Sequence, residues 1–168
     1  MRTTIRRETP DDADPVRRVN ELAFGRPQEA ALVDALRGSV DAVSLVAVVG
    51  DHVVGHVLFT SVRIEGSQGT TAVGLGPMAV LPEHQRQGVG SALVRAGLDV
   101  CRRLGHAVVV VLGHPAYYQR FGFVEAATKG IQYERLVPSE AFLVLELRTG
   151  AATRSGGVVK YRPEFTAV

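Results

Sequence analysis

The sequence predicts a mixed α/β (α+β) fold, and three observations carry that prediction. Two helix-like segments come first, a pair of β-rich runs joined by a tight turn follows, and a strand, a helix and a wholly apolar strand come next. A tight turn joins antiparallel strands, whereas a strand, helix, strand series forms a βαβ unit with parallel strands. The 168 residues, of which 46% are hydrophobic, suffice for one core, so we expect a single domain over residues 1–168.

The first two segments carry the signals of helices. Asp14 followed by Pro15 is typical of a helix N-cap and the first helical position, and apolar residues keep helical spacing up to Gly25. The segment QEAALVDALRG repeats the pattern and stops at Gly38. We therefore expect two consecutive helices before the sheet begins.

The period then changes to that of strands. SLVAVVGDHVVGHVLFTSVRI predicts an antiparallel hairpin with its turn at Gly50-Asp51. TTAVGLGPMAV predicts a third strand with a bulge or splay at Pro77, because proline cannot donate to a ladder. HAVVVVLG predicts a strand buried on both faces, and FLVLEL and VVKY predict two more, with TGAATRSGG as a mobile loop before the last.

A third helix follows the third strand after a glycine-containing turn. Its apolar positions have helical spacing and end at a glycine stop signal: Val89, Leu93, Ala96, Val100 and Leu104, then Gly105. The first N–H groups of a helix lack intrahelical partners and lie at the positive end of its dipole. Because glycine has no side chain, Gly88 and Gly90 would let a phosphate approach this backbone, and we predict an anion site here. The alternative is a glycine-rich N-cap that holds no ligand.

Two common nucleotide sites are disfavoured at this turn. A Walker-type ATP site would need Gly-Lys-Ser/Thr, which does not follow here, and a Rossmann fingerprint would need a third glycine where Leu93 stands. The anion predicted at this turn therefore belongs to another class of ligand.

Composition and charge disfavour several other classes of protein. The 19 Lys+Arg and 17 Asp+Glu leave a net charge of +2, which is too little to predict nucleic-acid binding. No apolar run approaches the roughly 18 residues of a membrane span, and no apolar h-region follows the N-terminal charges. A single cysteine, Cys101, excludes an internal disulfide, and no His, Cys and carboxylate set has metal-ligand spacing. We expect a soluble, cytoplasmic protein without a metal.

Two motifs together resemble the GCN5-related N-acetyltransferases, the GNAT superfamily. Gln85-Arg86-Gln87-Gly88-Val89-Gly90 is similar to the family's Q/R-x-x-G-x-G/A pyrophosphate motif, and Tyr118-Gln119-Arg120-Phe121-Gly122-Phe123 is similar to its later Y-x-x-x-G-F motif. GHPAYYQRFGF and AFGRPQEAALVDALR resemble the YhbS-like branch of this superfamily. Many members carry an Asn and a full helix before the tyrosine, whereas Gly113-His114-Pro115-Ala116 leaves room for little more than a turn.

The resemblance covers roughly Thr4 to Leu147 and implies the GNAT fold. That fold is a mixed, mostly antiparallel central sheet of about seven strands flanked by helices, with strands four and five splayed apart. Residues 148–168 would add a C-terminal loop and a short strand to this core.

The resemblance also implies a chemistry, acetyl transfer from acetyl-CoA as cosubstrate to a primary amine. The residues that it implies for binding acetyl-CoA are Met78, Ala79, Val80, Gln85, Arg86, Gln87, Gly88, Val89, Gly90, Ser91 and Tyr118. Backbone groups of the first three would pair with the pantetheine arm, and the turn would hold the diphosphate. Tyr118 would be the general acid that protonates the leaving thiolate, with a core aromatic residue as the alternative. Tyr117 does not match the motif and is expected to be a core aromatic residue.

Glu29 is the candidate general base, because it lies in the region that resembles the family's acceptor-binding wall. A glutamate at a helix start that only complements the helix dipole is the alternative. Glu83, His84 and His114 are rivals for the role, and an amine that arrives neutral needs no dedicated base. His56, in a β-rich run, is expected to be a hydrogen-bonded sheet histidine.

Two classes of function follow from these residues. The first is an N-acetyltransferase whose acceptor is a small-molecule amine or a peptide or protein amine, without nucleic-acid or membrane partners; the assembly is open between a monomer and a homodimer. The second is a non-catalytic acyl-CoA-binding sensor or interaction module on the same fold. The presence of Tyr118 favours the enzyme.

Overall fold

A computed structural model of the chain describes residues 2–67 and 69–168. The described residues form two compact units, each built from separate stretches of the chain. The first unit contains the residues up to Thr60, Gly76–Val100 and Pro163–Val168, and the second contains Ser61–Leu75 and Cys101–Arg162. The prediction of one domain over the whole chain stays a prediction.

The first unit begins with an antiparallel sheet. Its elements are β1 (Thr3–Arg7), α1 (Ala13–Phe24), α2 (Gln28–Leu36), β2 (Val43–Val49), the first part of β3 (His52–Glu65), the end of β4 (Ala72–Val80) and most of α3 (Val89–Arg103). The hairpin predicted at Gly50-Asp51 is confirmed, because β2 and β3 pair antiparallel from Val49↔His52 to Val43↔Phe59. β1, which sequence reasoning missed, pairs antiparallel with β2.

Helices pack on both faces of β3 in this unit, because side chains alternate along a strand. Gly55 and Phe59 lie on one face, and α3 covers them so closely that a Cβ on Gly97 would overlap the Phe59 ring. His56 lies on the opposite face and contacts Asn20 of α1. The helix that follows the glycine turn is thus held on one face of the sheet and α1 on the other.

The second unit is built around a buried strand. Its further elements are β5 (Val108–Leu112), α4 (Pro115–Tyr118), β6 (Val124–Glu125), β7 (Ile131–Tyr133), β8 (Phe142–Glu146), α5 (Ala151–Ser155) and β9 (Gly157–Lys160). β5 lies between β4, with which it runs parallel, and β8, with which it runs antiparallel. β9 pairs with the end of β3 and, in parallel, with β7. The core of the unit is the apolar cluster around Val108, Val110, Phe142 and Val144.

The predicted mixed sheet and its βαβ unit are confirmed, with more strands than expected. Nine strands lie within the described residues, against the seven or so implied by the resemblance. The extra strands include the two- and three-residue β6 and β7, which are too short to show a period. The parallel ladder of β4 with β5 covers only Ala72–Leu75, although β4 continues past Pro77 to Val80.

Three local predictions were wrong. α1 begins at Ala13 rather than after Asp14, because a 3-10 turn over Pro10–Asp12 leads directly into it. Leu104 lies beyond the end of α3 and is 53% exposed, because the buried face of the helix runs through Leu98 and Cys101 instead. The expected mobile loop contains α5, whose Ala152 N–H donates to the Glu146 carboxylate at 3.0 Å.

A buried chain of hydrogen bonds links the helices of the first unit to its sheet. Asn20 Nδ2 lies 3.3 Å from His56 Nδ1, and since an amide nitrogen only donates, Nδ1 accepts and the proton of the imidazole is on Nε2. Nε2 donates to Ser44 Oγ at 2.8 Å, and Ser44 donates to Glu8 Oε1 at 2.5 Å. Arg37 Nε donates to the other Glu8 oxygen at 3.1 Å. His56 is therefore the hydrogen-bonded sheet histidine that its position predicted.

This environment makes His56 a neutral group. Burial, and then the nearby Arg37 charge, lower the pKa of His56 from 6.5 to about 3. Because the pKa in the folded state is depressed, the stabilisation is fully present above about pH 6.5 and is lost as the pH falls toward 3. The pKa of Asp12, lowered to about 2 mainly by its hydrogen bond to Arg6, affects stability only below its ordinary value of 3.8.

We therefore expect the free energy of unfolding to fall by about 2 kcal/mol between pH 7.5 and pH 5 through His56. Urea denaturation at the two pH values measures this difference. A His56→Gln variant is the control, because it keeps a buried polar side chain that does not titrate. An equal pH dependence in the parent and in the variant would contradict the assignment to His56.

Candidate functional site

The turn from Gln85 to Ser91 presents a run of backbone donors. The N–H groups of residues 86–90 donate to no backbone carbonyl in the described chain, whereas Ala92 N, in the first turn of α3, donates to Gly88 O at 3.0 Å. Gly88 has φ 85°, in the left-handed region that glycine adopts readily. A group of consecutive amides at the start of a 15-residue helix is suited to an anion.

Two glutamine side chains hold the shape of this turn. Gln85 Nε2 donates to Val80 O at 2.9 Å, and Gln87 Nε2 donates to Glu83 O at 3.0 Å. Arg86 lies between them with φ 60°, a left-handed backbone that a non-glycine residue adopts at a cost. The two glutamines thus contact protein carbonyls through their side chains. The backbone N–H of Gln85 also donates to Pro82 O at 3.3 Å, whereas that of Gln87 has no backbone acceptor in the described chain.

The end of β4 lies directly before the turn in the same unit. Met78 and Val80 are half-buried, whereas Ala79 between them is buried. The chain is fixed just after this segment, because Leu81 N donates to Val54 O of β3 at 2.9 Å. The structure therefore brings together two parts of the predicted acetyl-CoA site, the strand end and the glycine turn.

Tyr118 is the last residue of the four-residue helix α4 in the second unit, so the predicted short connection after β5 is confirmed. Its side chain is 8% exposed and has three aromatic neighbours. The closest ring centroids are those of Tyr117 at 5.0 Å and Phe123 at 5.6 Å, both in edge-to-face geometry. Burial, and then the adjacent Tyr117, raise the pKa of Tyr118 to about 12, so the phenol carries its proton at neutral pH.

Tyr117 differs from its neighbour in its surroundings. It is half-buried, its ring packs edge-on against Phe121 at 5.4 Å, and the Arg120 guanidinium lies 4.6 Å from its centroid. The two tyrosines therefore present different environments, as expected for successive residues of a short helical turn.

Glu29 is buried at the start of α2 and is held by an ion pair. Arg26 Nε lies 3.0 and 3.2 Å from the two Glu29 oxygens, and Arg26 Nη2 makes a further contact with Oε2. Both Glu29 oxygens thus accept from the guanidinium of Arg26, and the Arg26 side chain is 49% exposed. A proton acceptor at Glu29 would have to lose part of this pair.

The structure also shows two residues that sequence reasoning missed. Arg26 lies in the bend before α2, and its opposite charge three residues before Glu29 is the signal in the sequence that could have suggested the pair. A Cβ on Gly113 would overlap the ring of Tyr118, and no signal in the sequence indicates this close approach. The rival bases Glu83 and His114 are exposed side chains.

Other kinds of site receive no support from the described residues. They contain no group of three or more His, Cys, Asp or Glu residues arranged to hold a metal ion. In the same part of the chain, no helix has the length and apolar character needed to cross a membrane.

Comparisons with known proteins agree on one family. The acetyltransferase (GNAT) domain model matches residues 4–126. The uncharacterized N-acetyltransferase YhbS of Escherichia coli K12 is 36% identical over 163 residues, which is 96% of this chain and 97% of YhbS. The uncharacterized N-acetyltransferase YjhQ of the same strain is 40% identical over 134 residues, covering 77% of this chain and 74% of YjhQ.

Solved structures give the same result. The crystal structure of YhbS from Escherichia coli in complex with CoA has a TM-score of 0.92 and 35% identity, and the match covers 99% of this chain and 93% of that one. A GNAT family acetyltransferase from Brucella melitensis in complex with acetyl-CoA has a TM-score of 0.80 and 35% identity, with 98% of each chain covered. The resemblance to the YhbS-like branch is thereby confirmed, and this chain belongs to the acetyltransferase (GNAT) domain family.

Proposed function

We propose that this chain is an acetyl-CoA-dependent N-acetyltransferase that moves an acetyl group to a primary amine by direct attack. The observation that carries the proposal is the run of backbone N–H groups at residues 86–90 without a backbone acceptor in the described chain. Two relatives at 35% identity were crystallised with CoA and acetyl-CoA. A diphosphate on this turn would satisfy the amides without needing a basic side chain.

The proposed reaction has two steps. The lone pair of a neutral amine attacks the thioester carbon, and the carbonyl electrons move to the oxygen to form a tetrahedral oxyanion. A backbone N–H of Met78, Ala79 or Val80 would stabilise that oxyanion. The intermediate then collapses with loss of the CoA thiolate, the sulfur takes a proton from the acid, and the amine nitrogen gives one to the base or to water. Proton exchange with water restores the acid and the base, and the products are an amide and free CoA thiol.

Tyr118 is the proposed acid in this scheme. It has the spacing of the family motif to Gly122, and its buried phenol remains protonated at neutral pH. A thiol is a stronger acid than the phenol of such a tyrosine, so a CoA thiolate is a weaker base than the phenolate. The transfer therefore has to occur as negative charge develops on the sulfur, and the fixed position of the phenol matters more than its acidity.

Glu29 stays the proposed base, and its ion pair with Arg26 limits how it can act. The ion pair fixes the orientation of the carboxylate, which suits a base that acts through one water. Both carboxylate oxygens accept from the Arg26 guanidinium, so Glu29 can take a proton only after part of the pair has opened. Glu83, His84 and His114, or an amine that arrives neutral, remain the alternatives.

The acceptor is proposed to be a small-molecule amine or a peptide or protein amine, with no nucleic acid or membrane as partner. The assembly stays open between a monomer and a homodimer. A non-catalytic acyl-CoA-binding sensor on the same fold is the alternative function, and turnover separates it from an enzyme.

We expect the protein to release free CoA thiol steadily from acetyl-CoA when it is given an acceptor. The test is a thiol-detection assay with a panel of an alkylamine, spermidine, tyramine and a hexapeptide with a free N-terminus. Calorimetry with CoA runs in parallel and measures binding without chemistry. Binding of CoA without turnover on any amine of a widened panel would favour the sensor, and absence of binding would contradict both functions.

A further inference from the structure

We propose that Gly113 is a positioning residue for the general acid, because the bare backbone at this residue sets where the Tyr118 ring lies and so where its hydroxyl points. The inference rests on the proposed function, in which Tyr118 protonates the leaving thiolate. Gly113 itself touches no reacting atom in this scheme and acts only through the tyrosine.

The contact is direct and close. A Cβ built on Gly113 would overlap Tyr118 Cε2, and it would lie 2.9 Å from Cδ2 and 3.4 Å from Cζ. Cζ carries the hydroxyl, so the contact extends to the reactive end of the ring. A side chain larger than hydrogen at residue 113 would therefore have to displace the phenol.

The backbone under the ring is fixed. Gly113 N donates to Ala141 O at 2.9 Å, just after the last paired residue of β5. Tyr118 N donates to His114 O at 3.1 Å, and Phe123 N donates to Tyr118 O at 3.4 Å. Since these bonds hold the chain on both sides of the contact, a clash has to be relieved by the ring.

The ring is also enclosed by other side chains. Tyr117 and Phe123 meet it edge-on at 5.0 and 5.6 Å between centroids, and Phe121 lies at 6.2 Å. Tyr118 therefore has little free space, and any shift moves the hydroxyl to a place where packing is poorer. A displacement of about 1 Å can cost a reaction up to 10²-fold in rate.

Gly113 is not required for backbone conformation. It is absent from the glycines with positive φ, so alanine fits the backbone at this residue. A Gly113→Ala substitution therefore reports on the contact with the ring and not on strain in the chain.

The test is a double-mutant cycle of Gly113→Ala with Tyr118→Phe, which keeps the aromatic ring and removes the hydroxyl group that donates the proton. Steady-state kinetics use acetyl-CoA and the amine of the panel with the highest turnover. We expect Gly113→Ala to lower kcat roughly tenfold or more with unchanged affinity for acetyl-CoA by calorimetry. In the Tyr118→Phe background the same substitution should change kcat less than about twofold, because no acid remains to be misplaced.

Gly97→Ala is the control for overpacking an aromatic ring. A Cβ on Gly97 would overlap the ring of Phe59, which is buried and has no proposed role. This control should lower thermal stability while kcat stays close to that of the parent. If Gly113→Ala does not fold, Phe123→Leu is the second variant, because it removes another contact with the Tyr118 ring. Phe123→Leu should lower kcat about threefold in the parent and should leave kcat unchanged in the Tyr118→Phe background.

The outcomes separate the inference from the function on which it rests. An equal loss of kcat from Gly113→Ala in both backgrounds, or no loss in either, would overturn the positioning role while Tyr118 stays the acid. If Tyr118→Phe alone keeps full kcat in single-turnover measurements, the acid assignment fails, and the role of Gly113 fails with it.

Discussion

Replacement of Tyr118 by phenylalanine is expected to lower kcat by roughly 10²-fold, or about 2.7 kcal/mol in the activation free energy. The substitution keeps the ring and its aromatic neighbours and deletes only the proton donor. The affinity for acetyl-CoA should change little, because the motif assigns the diphosphate to the glycine turn. Steady-state kinetics at saturating acetyl-CoA, with calorimetry for the affinity, measure the two effects separately.

Tyr117→Phe is the matched control for this experiment, since it deletes a hydroxyl from the adjacent residue. Its effect on kcat should be far smaller, because Tyr117 packs against Phe121 and Arg120 and does not match the motif. The reverse order of the two variants would show that the acid is placed on the wrong residue. If neither loses steady-state rate, single-turnover measurements show whether product release conceals the chemical step.

The second large effect is expected at the glycine turn. Gly90→Val should weaken binding of acetyl-CoA at least tenfold, about 1.4 kcal/mol, because the side chain would enter the space where backbone meets phosphate. Gly90 lies in the first turn of α3 and is absent from the glycines with positive φ, so valine fits the backbone there. Calorimetry with acetyl-CoA measures the affinity.

Ala96→Val is the control for the general cost of a β-branched residue in this helix. It lies in α3 about two turns away from the turn and should leave the affinity for acetyl-CoA unchanged. Unchanged affinity in a folded Gly90→Val protein would remove the phosphate role from this turn.

The strongly periodic parts of the fold could be predicted from the sequence alone. The hairpin at Gly50-Asp51 and the buried strand β5 follow from turn chemistry and from a continuous apolar run, and both are present. β1 and β7 were missed, because β1 contains a single apolar residue and β7 has only three residues. Both are strands by virtue of their pairing with β2 and β9. Such pairings are tertiary, and no local pattern encodes them.

The candidate site, like the fold, could be predicted only in part. The glycine turn and Tyr118 were recognised because their residues have fixed spacings in a family motif. The ion pair of Glu29 with Arg26 and the contact of Gly113 with the Tyr118 ring depend on side-chain positions that a spacing does not give. Sequence reasoning therefore named the candidate reacting groups and missed the contacts that Arg26 and Gly113 make with two of them.

The close packing of α3 against β3 limits which residues of this helix can be replaced to stabilise the protein. Glycine inside a helix is a usual target for stabilisation, since alanine raises helix propensity by about 1 kcal/mol. At Gly97 the added methyl group would overlap the buried Phe59 ring, so the gain in propensity is exceeded by overpacking. A thermostabilisation library for this protein should therefore leave residue 97 unchanged. Substitutions that raise helix propensity in α3 should be placed on its exposed face.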